Sequence, residues 1–242
     1  MWTKTLLLIS IAGAALAQPE PDRIQGLRSR SAGGFLIEIR HGFARDSADS
    51  GFLMIPKGET RQVDIRTVGP GGLDQGSAQA RRSYALWLIS NGGATQGLAS
   101  LSFNGAGAAF PPGTTMVRRI GSFATDSMAQ VIGFRQIGSG NEREVHYKKD
   151  LDSLNILDNG RATTFTFVPF GHLAPVTLET VLLSVVPQLS PVMVRTDSSV
   201  EQTFSGPGVG TFLDGAQQGS EYRNQFPWGR TDLYVIGYSE TI

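Results

Sequence analysis

GPGGLDQGSAQARRSYALWLISN, residues 69–91, decides how the chain is to be read. Its first half has the glycines of a phosphate-cradling loop, and its second half has the near-continuous apolar character of a buried strand. A dinucleotide-binding loop needs G-x-G-x-x-G between a strand and a helix, because the helix N-terminus supplies N–H groups to the pyrophosphate. Here Gly69-Pro70-Gly71-Gly72 runs into Leu73-Asp74-Gln75-Gly76 and then a strand, and no Gly-Lys-Ser/Thr follows. The glycines therefore act as backbone: they permit positive φ, reverse the chain and lay Leu73 as an apolar hook against the start of the next strand. Arg81 and Arg82 stand at that strand's entrance, with Tyr84 and Leu86 on one face and Ala85 and Trp87 on the other.

Outward from this corner the period-two signal repeats. Phe35, Ile37 and Ile39 alternate with Leu36, Glu38 and Arg40, and Val63 and Ile65 alternate with Gln62, Asp64 and Arg66. Further strands are expected at 101–103, 116–120, 131–137, 162–168, 192–195 and 232–238. TLETVLLSVV (177–186) fits a helical face and a buried strand equally; its β-branched content and the following Pro187 favour the strand. Asn91-Gly92-Gly93, Pro111-Pro112-Gly113, Asn159-Gly160 and Gly206-Pro207-Gly208 supply turns. The pattern predicts an all-β fold, an antiparallel, jelly-roll-like β-sandwich over 33–242, with any division into two packed sub-sheets near 140–160.

The N-terminus, MWTKTLLLISIAGAALAQPEPD, has the order of a secretory signal: Lys4, an apolar run over 6–16, and Ala15-Leu16-Ala17. Cleavage after Ala17 is expected, with an uncleaved anchor as the alternative, so the mature chain is expected to be exported and to have no membrane span. Residues 18–32, rich in Pro, Arg and Ser, read as a short linker. With no cysteine, stability rests on the core alone, which a 242-residue chain with 40% apolar content can supply. Lys plus Arg equals Asp plus Glu at 21 each, and no block of like charge occurs, so a nucleic-acid partner is not expected.

Several ordered pieces carry a resemblance. ARDSADSGFLMIPKGETRQVDI (44–65), GGLDQGSAQARRSYALWLISN (71–91), FPPGTTMVRRIGSFATDS (110–127) and VIGFRQIG (131–138) resemble phage and prophage virion proteins of the tail-fibre-like type. In that family A-R-D/N-S opens a strand, G-G-L-D-x-G leads into an aromatic strand, and a segment ending R-R-I-G-S precedes a strand ending F-x-Q-x-G. The likeness covers 44–138, and 233–238 is similar to the family's closing strand; Ser83-Tyr84 and Thr114-Thr115-Met116 depart from its aromatic positions. The resemblance implies a structural and adhesive module without an enzymatic step. It also implies a homo-oligomer, with a trimer favoured, whose partners are a cell-surface glycan or neighbouring virion subunits. Location would then be the periplasm or exterior, or the virion itself if the gene belongs to a phage.

Chemistry-bearing residues are sparse. His41, His146 and His172 form no H-x-x-x-H pair, no G-x-S-x-G elbow occurs, and no cofactor or metal is expected. DLDSLNILDNG (150–160) resembles a calcium loop but carries Leu and Ile where a tight oxygen-ligand loop cannot use them. Its Asp158-Asn159-Gly160 reads as a hairpin turn. Glu142, Glu144, Asp150, Asp152, Asp214 and Glu221 are the carboxylates from which a polysaccharide hydrolase, the alternative function, would draw its acid and base. A third alternative is an exported host structural protein of prophage origin.

The strongest recognition candidate is GSEYRNQFPWGRTDLY (219–234). Tyr222, Arg223, Trp228, Arg230 and Asp232 could form a saccharide platform, ring faces taking the sugar's C–H surface and polar groups its hydroxyls. The competing reading, favoured by the burial preference of aromatic rings, packs Phe226-Pro227-Trp228 as a plug beneath the last strand.

Overall fold

The computed structural model describes residues 24–138, 140–148, 151–196, 200–213 and 218–242. The expected signal segment and the first part of the linker lie outside the described residues. Within them the regular secondary structure is almost entirely strand, arranged in antiparallel sheets, as the alternation predicts.

The first unit begins where the linker was expected to continue. β1 (Ile24–Gly26) and β2 (Ser29–Gly33) lie end to end along β3 (Leu36–Arg45), and β4 (Phe52–Asp64) lies along its other side. The linker reading fails over 24–32 because these strands have few apolar residues to alternate. Ile24 and Leu27 are nonetheless buried, and Leu27, at φ 54, makes the kink that separates the two strands. The next strands are β5 (Ser83–Ser90), β6 (Gln96–Ser100), β7 (Met116–Ala124), β8 (Phe134–Ile137) and β9 (Glu142–Tyr147). β6, β5 and β7 make a separate three-stranded sheet, while β8 and β9 extend the sheet of β1–β4.

β5 is buried along nearly its whole length, which its apolar run requires. Tyr84, Leu86 and Leu88 belong to the main core, whereas Ala85, Trp87 and Ile89 form a second small core with Leu98. The cover over this second core is the loop 101–115, which brings in Phe103 and Phe110. The strand expected at 101–103 is absent for that reason: Phe103 is used as a lid. Trp87 donates its indole N–H to the Ser102 carbonyl at 3.3 Å and meets the Phe110 ring edge-on at 5.5 Å. The Leu73 hook is present but lies along β6 and not at the start of β5. The Gly71 N–H donates to the Gly97 carbonyl, the Asp74 N–H to the Ala99 carbonyl, and Leu73 is 1% exposed.

The second unit holds β10 (Asn155–Gly160), β11 (Thr166–Pro169), β12 (Leu178–Gln188), β13 (Val192–Arg195), β14 (Gln202–Phe204), β15 (Gly208–Leu213), β16 (Gly219–Asn224) and β17 (Arg230–Thr241). TLETVLLSVV is thus a strand. Sheet order β10-β17-β12-β15 faces β11-β16-β13-β14, so each strand of one sheet is joined by a corner or turn to the strand of equal rank in the other. That is the connectivity of an eight-stranded jelly roll. Val181, Leu183 and Val185 of β12, Leu233 and Val235 of β17 and Phe212 of β15 line its interior with Val192, Val194 and Val168.

β17 joins the units. Its first half pairs with β10 (Leu233 opposite Leu157) and its second half with β9 (Tyr238 opposite Val145), giving one ten-stranded sheet under both smaller sheets. A buried polar seam ties β7 to it. Ser122 Oγ donates to Glu240 Oε1 at 2.6 Å and lies 2.8 Å from the Tyr238 hydroxyl, and Arg119 Nη1 sits 3.4 Å from Glu240 Oε2. Burial pushes the Glu240 carboxyl above the usual carboxylate range, opposed only in part by Arg119 and the hydroxyl donors.

Residues that carry the family resemblance hold framework positions. Asp46 ends β3 and does not open a strand: its Oδ1 accepts the Gly51 N–H at 2.7 Å and its Oδ2 accepts the Ser50 hydroxyl at 3.0 Å, closing the turn into β4. Asp74 Oδ2 accepts the Ser100 hydroxyl at 2.7 Å and the Ala109 N–H at 3.0 Å, holding down the loop over Trp87. Gln136 donates to the Ile120 carbonyl at 3.0 Å and accepts from the Ser29 N–H at 3.2 Å, joining three strands.

Candidate functional site

Chain crossings between the jelly-roll sheets gather at one end: 161–165 from β10 to β11, 189–191 from β12 to β13 and 225–229 from β16 to β17. Asn224, 1% exposed, stitches them. Its N–H donates to the Ala162 carbonyl at 2.7 Å, its Nδ2 to the Gly160 carbonyl at 3.0 Å, and its Oδ1 accepts the Thr231 hydroxyl at 2.7 Å. The Gln225 N–H donates to the Pro191 carbonyl at 2.9 Å. Glycine suits position 229, since a Cβ there would stand 2.9 Å from the Cβ atoms of both Asn224 and Ser190.

Phe226-Pro227-Trp228-Gly229 closes as a tight turn, with the Gly229 N–H donating to the Phe226 carbonyl at 3.0 Å. Proline at the second turn position presets φ, and glycine is favoured at the fourth. The turn holds the Phe226 and Trp228 rings parallel, 4.9 Å apart with 5° between planes. Trp228 is 62% exposed and Phe226 39%, so the pair is not a plug beneath the last strand. Leu189, at φ 66 and 77% exposed, projects from the neighbouring corner.

The five predicted site residues separate. Tyr222 and Arg223 sit on opposite faces of β16 by alternation. Tyr222 is buried, its hydroxyl accepting the Ala162 N–H at 3.3 Å and the hydroxyl end of its ring lying against Gly160, so it belongs to the core and not to a platform. Arg223 lies on the outer face, 4.6 Å from the Phe165 ring centre, with Arg195 3.8 Å from the same ring. Arg230 donates to Asn159 Oδ1 at 3.1 Å. Asp232 is a tie: Oδ1 accepts the Asn159 N–H at 2.7 Å and Oδ2 the Gln188 amide at 2.8 Å. Of the five, Trp228 alone stands on the exposed turn, with Phe226 stacked against it, and Arg230 is half-buried. Asn159-Gly160 is not a hairpin turn, because Gly160 pairs with Thr231 and the chain then crosses to the other sheet.

Of the carboxylates named for hydrolysis, Glu142 and Glu144 lie two apart on β9 and line one shallow concavity. Glu221 is held by Arg195 at 2.7 Å, Glu144 stands 3.3 Å from His146 Nε2, and Asp150 and Asp214 lie outside the described residues. Among the described residues no group of three or more His, Asp and Glu is placed to hold a metal, and no helix is long and apolar enough to cross a membrane.

A concave feature that sequence reasoning missed lies between the units. Arg81, Arg82, Phe103 and Asn104 of the first unit face His172 and Gln218 of the second across a groove of about 920 Å³. Its walls are tied: Ser83 Oγ donates to the His172 carbonyl at 2.7 Å and the Tyr147 hydroxyl to the Leu173 carbonyl at 2.6 Å. Burial and the nearby Arg81 lower the His172 pKa below its ordinary value. Only the Arg81-Arg82 pair was visible in the sequence, because the opposite wall, His172 and Gln218, comes from the distant second unit.

Compared with known proteins, the chain matches no family model, no curated protein and no solved structure.

Proposed function

We propose that this protein is a non-catalytic adhesive module of the tail-fibre type, holding a saccharide at the crossing end of its jelly roll. The observation that carries this reading is the exposed, parallel Phe226–Trp228 stack on a turn whose backbone is fixed by Asn224 and Gly229. A flat indole presented to solvent has ring surface for a sugar's C–H face, and Arg230, at the start of β17, has N–H groups for hydroxyls. A rigid aromatic anchor loses little conformational freedom on binding, which favours it as an energetic centre. The likeness of 44–138 to virion proteins supports an appendage setting, and Phe52 and Met54, exposed on edge strand β4, support self-association.

A glycan array probed with the exported chain tests this directly. At least one glycan class should be retained, and Trp228→Ala should weaken it by about 30-fold, the equivalent of ~2 kcal/mol. Undiminished binding by Trp228→Ala, or release of reducing ends from a bound polysaccharide, would refute the proposal.

A further inference from the structure

We infer that the groove between the two units is a second binding site, for a carboxylate-bearing saccharide, in which Arg81 and Arg82 take the carboxylate and Phe103 the sugar ring. It is separate from the Trp228 corner, and its failure would leave that reading standing.

First, the two guanidinium groups are unpaired among the described residues. Arg30, Arg45, Arg61, Arg66, Arg195 and Arg223 each have a carboxylate within ion-pair distance. Among the described residues neither Arg81 nor Arg82 has a hydrogen-bond or ion-pair partner for its side chain, although both line the groove. Asp126 and Asp74 are engaged by other donors. Asp126 Oδ1 accepts the Met128 and Gln130 N–H groups at 2.8 and 2.9 Å, and Asp74 holds Ser100 and Ala109.

Secondly, the arginines are mounted on fixed backbone. Arg81 adopts φ 53, a conformation costly for a residue with a Cβ, and is held there by its N–H donating to the Asp126 carbonyl at 2.9 Å. The Arg82 N–H donates to Thr125 Oγ1 at 3.0 Å, and the Gln79 N–H to the Tyr84 hydroxyl at 2.8 Å. Two guanidinium forks from adjacent residues on a hydrogen-bonded backbone suit a carboxylate, which accepts two parallel N–H donors.

Thirdly, the remaining lining fits hydroxyls and a ring face. Asn104 Oδ1 accepts from Ser102 Oγ and the Ala106 N–H, leaving its NH₂ as a donor. Gln218 donates to the Pro175 carbonyl at 3.3 Å, leaving its oxygen as an acceptor. Phe103 and Leu101 supply apolar surface. A volume of about 920 Å³ is in the range of small-ligand sites, and the chain's zero formal net charge gives no broad field for a polyanion, so one local anionic group is the match.

Calorimetric titration with digalacturonate and with neutral galactobiose distinguishes the outcomes. Digalacturonate should bind at least tenfold more tightly, and the preference should weaken as salt rises. Arg81→Gly relieves the backbone conformation while removing the guanidinium, so it should keep its melting temperature and lose the preference; Arg82→Ala should lose it as well. Arg135→Ala, which removes one exposed charge from β8 outside the groove, should keep it. Equal affinity for the two sugars, a preference that survives Arg81→Gly with Arg82→Ala, an equal loss in Arg135→Ala, or tighter binding of a diglutamate peptide would each overturn the assignment.

Discussion

The first unit hides both faces of its smaller sheet, whereas the jelly roll leaves the outer face of its own smaller sheet in solvent. In the first unit β5 carries side chains of one character on both sides, and the loop 101–115 must close over Trp87 to keep water away. In the jelly roll, β13 and β16 alternate buried and half-buried residues, so Val192 and Val194 face inward while Arg195 and Arg223 face out. A sheet buried on both faces has only its edges and flanking loops for contact. A sheet buried on one face, with its crossings collected at one end, can mount aromatic rings such as Trp228 without spending core residues on them.

The two cores should therefore fail differently. Phe123 is the middle ring of a stack that spans the first unit, 5.3 Å from Tyr84 and 6.3 Å from Phe134, and Phe123→Ala should cost about 3–5 kcal/mol in denaturant unfolding. The jelly roll's equivalent weak point is polar. Asn224→Ala leaves the Gly160 carbonyl and the Thr231 hydroxyl without partners, each costing roughly 1–3 kcal/mol. It should also loosen the corner that carries Trp228, so glycan binding and stability fall together.

The seam between the units should give a pH signature. Because the folded Glu240 pKa lies above its unfolded value, the native state holds a proton that the unfolded chain has lost, and stability falls as pH rises from about 4.5 through the folded pKa. Glu240→Gln should flatten that part of a melting-temperature profile. Glu38 and Asp64 act in the opposite sense. Hydrogen bonds from Arg30 and Arg66 hold them low, so their contribution is present above the unfolded pKa values and lost in acid, in the variant as in the parent. The smallest effect belongs to Trp228→Ala, which removes an exposed ring and should leave stability within ~0.5 kcal/mol while binding drops.

These contrasts show why some of the molecule was legible in sequence. β5, β7, β12 and β17 announce themselves because their apolar residues recur at a strand's period or without interruption. β1, β2, β14 and β16 do not, since Ser, Arg, Gly and Gln dominate them and their pairing is dictated by neighbours far along the chain. Tyr222 and Trp228 look alike as exposed-or-buried aromatics in a list of residues. What separates them is that β16 is still in its sheet at Tyr222 and has left it at Trp228. The groove was illegible because its two walls meet only after β9 and β17 pair.

The most direct test is a ¹⁵N-correlation spectrum of the chain's indole N–H signals, assigned with Trp228→Phe, during titration with a glycan retained on the array. The account predicts that the Trp228 signal moves in step with binding while that of Trp87, donated to the Ser102 carbonyl, stays in place. Saturable binding with a stationary Trp228 signal would contradict it.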